Sequence, residues 1–309
     1  MITPEVSICC ITYNHAKYIR DALDSFLMQK TTFPIEIIIH DDASTDGTAD
    51  IIREYEAKYP DIIKPIYQTE NQYSKGVRIF LSIIPLAKGK YIAVCEGDDF
   101  WTDPKKLQIQ YDFMESHPDY SLCMHGRYNL DCFNNRYYPE PFAEVPENGF
   151  ECANKLALGC FMSFTQTFFF RKKSYEAKQY EIVRDSEAAP MGDIQIVFHL
   201  ALQGNVKYIK KHMATYRRSA GSITHTSLGD DSAFLQKCED FTIAMLVKSG
   251  HADWAEEREK RKLSREEGSV SPEKKNIFQL LRHFIGKIHF ALFKFKARVK
   301  FWLYIKRFL

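Results

Sequence analysis

Tyr91-Ile92-Ala93-Val94-Cys95-Glu96-Gly97-Asp98-Asp99-Phe100-Trp101 begins as a short apolar run of strand type and ends abruptly in three acids around one glycine. A buried strand that delivers carboxylates at its C-terminal tip belongs in an α/β sheet, where ligands bind outside the carboxyl ends of the strands. Three acids so close together repel one another unless a positive charge sits among them. A hard divalent cation, Mg²⁺ or Mn²⁺, meets that need, because it takes oxygen ligands and keeps positions open for substrate phosphates. The plainer alternative is a solvated acidic turn.

Working outward, residues 6–12 form a continuous β-type run that ends in Tyr13-Asn14-His15. Residues 16–28 then repeat apolar side chains at helical spacing: Ile19, Ala22, Leu23, Phe26 and Leu27. Residues 36–40 read as a second buried strand ending in Asp41-Asp42. Ser44 or Thr45 stands ready to cap the helix that follows, with Ile51, Ile52 and Tyr55 on its inner face. Residues 62–67 read as a third strand, 73–76 as a loop and 77–86 as a helix, and Gly89 turns the chain into the strand that carries the acids. This alternation predicts βαβ units, hence an α/β fold with a mostly parallel, Rossmann-like sheet flanked by helices. The tips at Thr12-Tyr13-Asn14, Asp41-Asp42 and Glu96-Gly97-Asp98-Asp99 would all face one side, an edge at which nucleotides usually sit. Neither GxGxxG nor GxxxxGK[ST] occurs, so carboxylates and a metal, rather than a glycine cradle, are expected to hold the nucleotide.

The net charge of +2 hides an asymmetry. Residues 274–309 hold ten Lys/Arg and no Asp or Glu, which leaves 32 basic against 40 acidic residues elsewhere. An acidic body with a basic, aromatic tail fits an anionic membrane surface better than nucleic acid. In that tail Ile277, Leu281, Phe284, Ile285 and Ile288 mark one apolar face, with Phe295, Val299, Trp302 and Leu303 beyond it, as in an interfacial amphipathic helix. A helix that docks on a partner protein is the alternative. The eight cysteines include no CxxC pair and several lie in apolar runs, so they read as reduced and structural. Cys123, His125 and Cys132 match no familiar zinc spacing. No signal peptide and no membrane-spanning apolar stretch is evident, and the expected place is the cytoplasm, peripheral on the inner face of the membrane.

Three ordered motifs now resemble a known family. Val6-Ser7-Ile8-Cys9-Cys10-Ile11-Thr12-Tyr13-Asn14, then Ile39-His40-Asp41-Asp42-Ala43-Ser44-Thr45-Asp46-Gly47-Thr48, then Gly89-Lys90-Tyr91-Ile92 with Glu96-Gly97-Asp98-Asp99 look like a family 2 glycosyltransferase. The resemblance is close over roughly the first 110 residues. It implies a GT-A fold, a nucleotide-sugar donor (UDP-sugars by preference) and inversion at the anomeric carbon by one in-line displacement. It further implies that Thr12, Tyr13 and Asn14 line the donor nucleotide and that Asp41 or Asp42 reads the base. Asp98 would contact ribose or metal, Asp99 would coordinate the metal on the diphosphate, and Lys75 and Arg78 lie where the family often keeps a basic group.

Past residue 110 the match weakens. Residues 101–115 read as a helix opened by Thr102-Asp103-Pro104, and 121–129 and 161–170 as strands. Between those strands, residues 131–148 read as a mobile loop over the donor or a plain surface connection. Met191-Gly192-Asp193 precedes a helical pattern. In the family an acidic pair opens such a helix and its second member is the base. Asp193 matches that member, while Gly192 replaces the first acid. An Asp there is also good helix-start chemistry. Asp185, Glu187 and Asp230 are weaker candidates. Tyr216-Arg217-Arg218-Ser219 resembles the family's closing motif, with Ser219 where many relatives carry a His. His212 or His225 could substitute, and Arg217 and Arg218 could steady a pyrophosphate.

The expected organisation is a catalytic domain over 1–228 (nucleotide-sugar half 1–110, acceptor half 111–228), a helical linker over 229–272 and a basic tail over 273–309. The expected function is sugar transfer to a glycan or lipid-linked acceptor in surface-polysaccharide synthesis. A non-catalytic sugar-nucleotide or membrane scaffold and a nucleotidyltransferase are the rivals.

Overall fold

Four neighbouring parallel strands bring the acidic tips together. We describe the fold from a computed structural model over residues 3–157, 164–179, 181–184, 186, 192–219 and 231–256. The chain runs β1 (Val6–Thr12), α1 (Ile19–Leu27), β2 (Ile35–Asp41), α2 (Thr48–Lys58), β3 (Ile63–Tyr67), α3 (Ile79–Ile83), β4 (Tyr91–Glu96) and β5 (Phe100–Trp101). It continues through α4 (Lys106–Ser116), β6 (Tyr120–Asp131), β7 (Arg136–Pro139), α5 (Gly149–Ala157), β8 (Phe169–Arg171), α6 (Lys172–Tyr175), α7 (Glu181–Arg184), α8 (Gly192–Gln203), β9 (Asn205–Arg218) and α9 (Asp231–Lys248). The strands form one sheet in the order β3-β2-β1-β4-β8-β6-β9-β5, with β7 hung on β6. β3, β2, β1 and β4 are mutually parallel, as the alternation predicts. From β8 onward the sheet is mixed: β6 and β9 are parallel, whereas β8 and β5 join antiparallel.

The central position of β1 and β4 follows from their sequences. Both are apolar on either face, and nearly every residue of each is buried, which only a strand covered on both sides tolerates. Ile19, Ala22, Leu23 and Phe26 of α1 lie on one stripe and are fully buried against that core. At the opposite end of the strands a buried polar knot fixes the register. Glu36 accepts from the Ser7 hydroxyl and the Lys88 N–H, and Ser7 in turn accepts from the Gly89 N–H at 2.8 Å. A Cβ on Gly89 would lie 2.5 Å from the Ser7 nitrogen, so only glycine lets β4 enter here.

Five local expectations change. Trp101 leaves the predicted helix and joins β5, because its indole anchors the core. It packs on Phe26 at 4.8 Å, donates Nε1–H to the Gln166 carbonyl and lies under the buried Lys106 ammonium at 4.0 Å. The helix therefore starts only at Lys106. The helix expected over 77–86 is an α-turn over Ile79–Ile83 that tightens into a 3₁₀ turn at Pro85, which lacks the N–H to continue. Residues 131–148 include a hairpin, since β7 pairs with β6. Within 161–170, Thr165–Thr167 is a 3₁₀ turn and only Phe169–Arg171 is strand. The α2 start also differs: Gly47 stands at the N-cap and Asp46 before it accepts the Thr48 N–H at 3.0 Å, while Ser44 and Thr45 face the β1 loop.

The chain divides into two compact units, Met1–Phe241 and Thr242–Leu309. The second is described over residues 242–256, where 242–248 and 252–256 are helical. The basic tail and Asp185, Glu187, His225 and Asp230 lie outside the described residues.

Candidate active site

At the end of β4 the chain turns tightly. The Asp99 N–H donates to the Glu96 carbonyl at 3.1 Å, and the Gly97 N–H to the Ile11 carbonyl at 2.8 Å. A Cβ on Gly97 would lie 2.7 Å from Thr12 Oγ1 and 2.8 Å from Thr12 Cβ, so a glycine between the acids lets this turn close on β1. Gly97→Ala should cost about 1–3 kcal/mol of stability by overpacking, read as a lower urea midpoint.

The turn gathers Glu96, Asp98 and Asp99, whose carboxylates offer oxygens all within 4.8 Å of one another. Among the described residues it is the only such group of three metal-ligating side chains, so Cys123, His125 and Cys132 form none. Asp99 is 1% exposed. Its Oδ1 accepts the Arg217 N–H at 2.8 Å, while Oδ2 is buried with no hydrogen-bond partner. Burial, then the charges of Asp98 and Glu96, push the Asp99 carboxyl well above the usual range. Glu96 rises to about 8 through burial and the charges of Asp98 and Asp193. Like charges crowded in a largely buried turn, with one oxygen orphaned, fit a divalent cation with oxygen ligands.

Asp193 opens α8 and is partly buried. Burial raises its carboxyl to about 6, although the Ile194 N–H, 2.7 Å from Oδ1, favours the charged form. Its charge also helps to raise the Glu96 carboxyl. A carboxylate with that acidity can accept a proton near neutral pH.

The β1 and β2 loops are cross-tied. Asn14 Oδ1 accepts the Thr45 N–H at 2.8 Å, Ser44 Oγ accepts the Asn14 N–H, Thr48 Oγ1 the His15 N–H and Asp46 Oδ2 the Ala16 N–H. Asn14 and Ala43 adopt positive φ, 55° and 62°, to make this fit. The Asn14 carbonyl is thus engaged in holding the loop. Asp42 is engaged as well, since its two oxygens accept the Gln72 and Tyr73 N–H groups at 2.7 and 3.0 Å. Asp41 differs: Oδ2 receives the Ser44 N–H, but Oδ1 is buried and unpartnered. Thr12 Oγ1 is likewise buried without a partner, and Tyr13 is exposed. Lys75 pairs with Glu70, and Arg78 stands at the N-cap of α3.

Arg217 is committed to the scaffold. Its guanidinium donates to the Asp98 carbonyl at 3.1 Å and to Asp21 at 2.7 Å, and lies over the rings of Tyr18 and Phe100. His212 is bound to the Glu140 carbonyl at 2.7 Å and stacks on Phe142. Two basic residues not singled out from the sequence face the acids. His15 Nε2 lies 3.9 Å from Asp98 Oδ2. Arg127, 7% exposed between the rings of Phe164 and Tyr216, is close enough to Asp99 to favour its charged form. His15 was findable, because it follows the β1 tip. Arg127 was not, because its burial depends on two distant aromatic residues.

Residues 7–177 match the family described as glycosyl transferase family 2. The chain belongs to that family. An uncharacterized protein of Mycobacterium tuberculosis is 35% identical to this family 2 chain over 232 residues, 74% of this chain and 63% of its own length. The chain thus spans less than two thirds of that relative. The putative teichuronic acid biosynthesis glycosyltransferase TuaG of Bacillus subtilis is 39% identical over 111 residues, 36% of this chain and 42% of its own. Among solved structures, S. aureus TarS 1–349 in complex with UDP-GlcNAc superposes with a TM-score of 0.63 at 18% identity, covering 88% of this chain and 77% of TarS. The fold is of the GT-A type, and the strands that carry the acids fall within the family match.

Proposed function

We propose that the protein is an inverting glycosyltransferase. It moves a sugar from a nucleoside-diphosphate sugar, of the UDP class, to a hydroxyl of a glycan or lipid-linked acceptor in surface-polysaccharide assembly. The observation that carries this reading is the acidic turn, with its buried, unpartnered Asp99 oxygen, and a separate carboxylate at Asp193 whose charge bears on Glu96. The two carboxylates have separate roles, because a base must be free and a ligand must be bound. Support for the donor comes from the UDP-GlcNAc bound to TarS, and for the pathway from the teichuronic acid relative.

Asp98 and Asp99 would hold Mg²⁺ or Mn²⁺. When bound, that ion neutralises charge on the departing diphosphate. Asp193 takes the proton from the acceptor hydroxyl, and that oxygen attacks the anomeric carbon opposite the leaving diphosphate. Asp41, with its free Oδ1, reads a ring N–H of the base, and Tyr13 lies along the base and ribose. Arg127 adds positive charge near Asp99. Among the described residues no helix is long and apolar enough to cross a membrane. The basic segment 273–309 would hold the enzyme on anionic lipid at the inner face.

Thermal stability against UDP-, GDP-, dTDP- and CDP-sugars, with and without Mn²⁺, tests this reading. A ligand that binds only the folded state raises the midpoint by about 2.7 kcal/mol of stability at a hundred times its Kd. A shift for UDP-sugars that grows with Mn²⁺ is expected. No shift with any nucleotide would point instead to a non-catalytic scaffold.

A further inference from the structure

Both oxygens of Asp42 are used to hang a loop. The carboxylate accepts the successive N–H groups of Gln72 and Tyr73, and the Asp42 carbonyl accepts Asn71 Nδ2–H at 3.2 Å. Asn71 Oδ1 in turn accepts the Ser74 N–H at 2.7 Å, and the turn closes at Gly76, whose φ is +82°. This loop leaves the end of β3, and its Gln68 N–H donates to the Asp41 carbonyl at 2.9 Å. Tyr73, at its centre, is 57% exposed although its backbone is fixed to a buried acid. An exposed aromatic residue whose backbone is fixed in this way is a prepared contact rather than a frayed tip.

The topology supplies the opposite wall. β2 lies between β3 and β1, and Thr12 pairs with Asp41. Tyr13, 45% exposed, therefore follows the tip on one side of Asp41, and Tyr73 lies in the loop that leaves the β3 tip on the other. Neighbouring strands are about 4.8 Å apart, so the β1 and β3 tips stand about 10 Å apart. Stacked rings sit about 4.5–7 Å between centroids, so one flat ring fits between two walls at that spacing. Between the walls lies the buried, unpartnered Asp41 Oδ1, an acceptor waiting for an N–H.

We propose that Tyr73 and Tyr13 form a two-sided clamp on the donor's nucleobase, and that Asp42 is the positioning residue that holds Tyr73 in place. The inference rests on the donor reading above and adds the second wall and its anchor. A planar base with a ring N–H, as in uracil, satisfies Asp41 while both faces are covered.

The test is titration of the full chain with UDP and with inorganic pyrophosphate, each with Mn²⁺ present. Tyr73→Ala should raise the Kd for UDP about tenfold, the scale of a lost base–aromatic stack, and leave the Kd for pyrophosphate unchanged. Tyr73→Phe, which keeps the ring, should restore the lost affinity. Asp42→Ala should weaken UDP and spare pyrophosphate in the same way. If the unaltered protein binds UDP but Tyr73→Ala binds it equally well, or weakens both ligands alike, the clamp is overturned and the donor reading survives. If the unaltered protein binds no UDP, both fall together.

Discussion

Asp193→Asn is expected to lower turnover by about 10²–10⁴-fold, the usual contribution of a general base, with donor binding retained. The asparagine has the same shape, and its carbonyl can still accept the Ile194 N–H that Asp193 Oδ1 receives at 2.7 Å. Helix α8 therefore starts as before and only the proton acceptor is lost. The native enzyme should show a matching acid limb. Burial raises the Asp193 carboxyl to about 6 in the free protein, and the proposed base works only when ionised, so kcat/KM should climb as pH rises through about 6 and then level off. The limb should vanish in Asp193→Asn. Near-native turnover in that variant would remove Asp193 from the mechanism.

Asp99→Asn should separate stability from function. In the folded, metal-free protein, burial and mutual repulsion hold Glu96 at about 8 and Asp99 well above the usual carboxylate range, whereas the unfolded chain titrates near 4. Between those values the folded state binds more protons. Metal-free stability must therefore fall as pH rises from about 4 to 8, and it is fully present only below the lower value. An asparagine has no proton to release on unfolding, so Asp99→Asn should melt higher than the native protein at pH 8 in EDTA. The same change removes an anionic ligand, so the rise in melting temperature that Mn²⁺ gives the native protein should disappear. Melting curves from pH 5 to 8.5, in EDTA and in Mn²⁺, check both effects. A Mn²⁺ response that survives in Asp99→Asn would place the cation elsewhere.

The first half of the fold was legible because its signals are local. The apolar run of β1, the Ile19–Leu23–Phe26 stripe of α1 and the acids closing β4 each declare themselves within a dozen residues. What was not legible depends on distant partners. Nothing near Asp42 announces that its oxygens are taken by Gln72 and Tyr73, thirty residues on, whereas Asp41 keeps one free. Trp101 carries a helix-compatible sequence around it, but a buried site against Phe26 and Lys106 outweighs local propensity. Arg217 offered a pyrophosphate ligand by its chemistry, and its pairing with Asp21 across most of the chain assigns it to the scaffold.

The Arg217 N–H that steadies Asp99 arrives 118 residues after it. At ribosomal speeds of about 5–20 residues per second, that gap lasts on the order of 6–24 seconds. Throughout the interval the nascent chain already holds every motif of the nucleotide half, yet Asp99 lacks the donor that fixes its orientation and Asp21 lacks its guanidinium. Only the last strand of the sheet supplies both. Maturation of the acidic turn is therefore tied to completion of the sheet, and a chain stalled before β9 would carry the family's signature motifs without a finished catalytic centre.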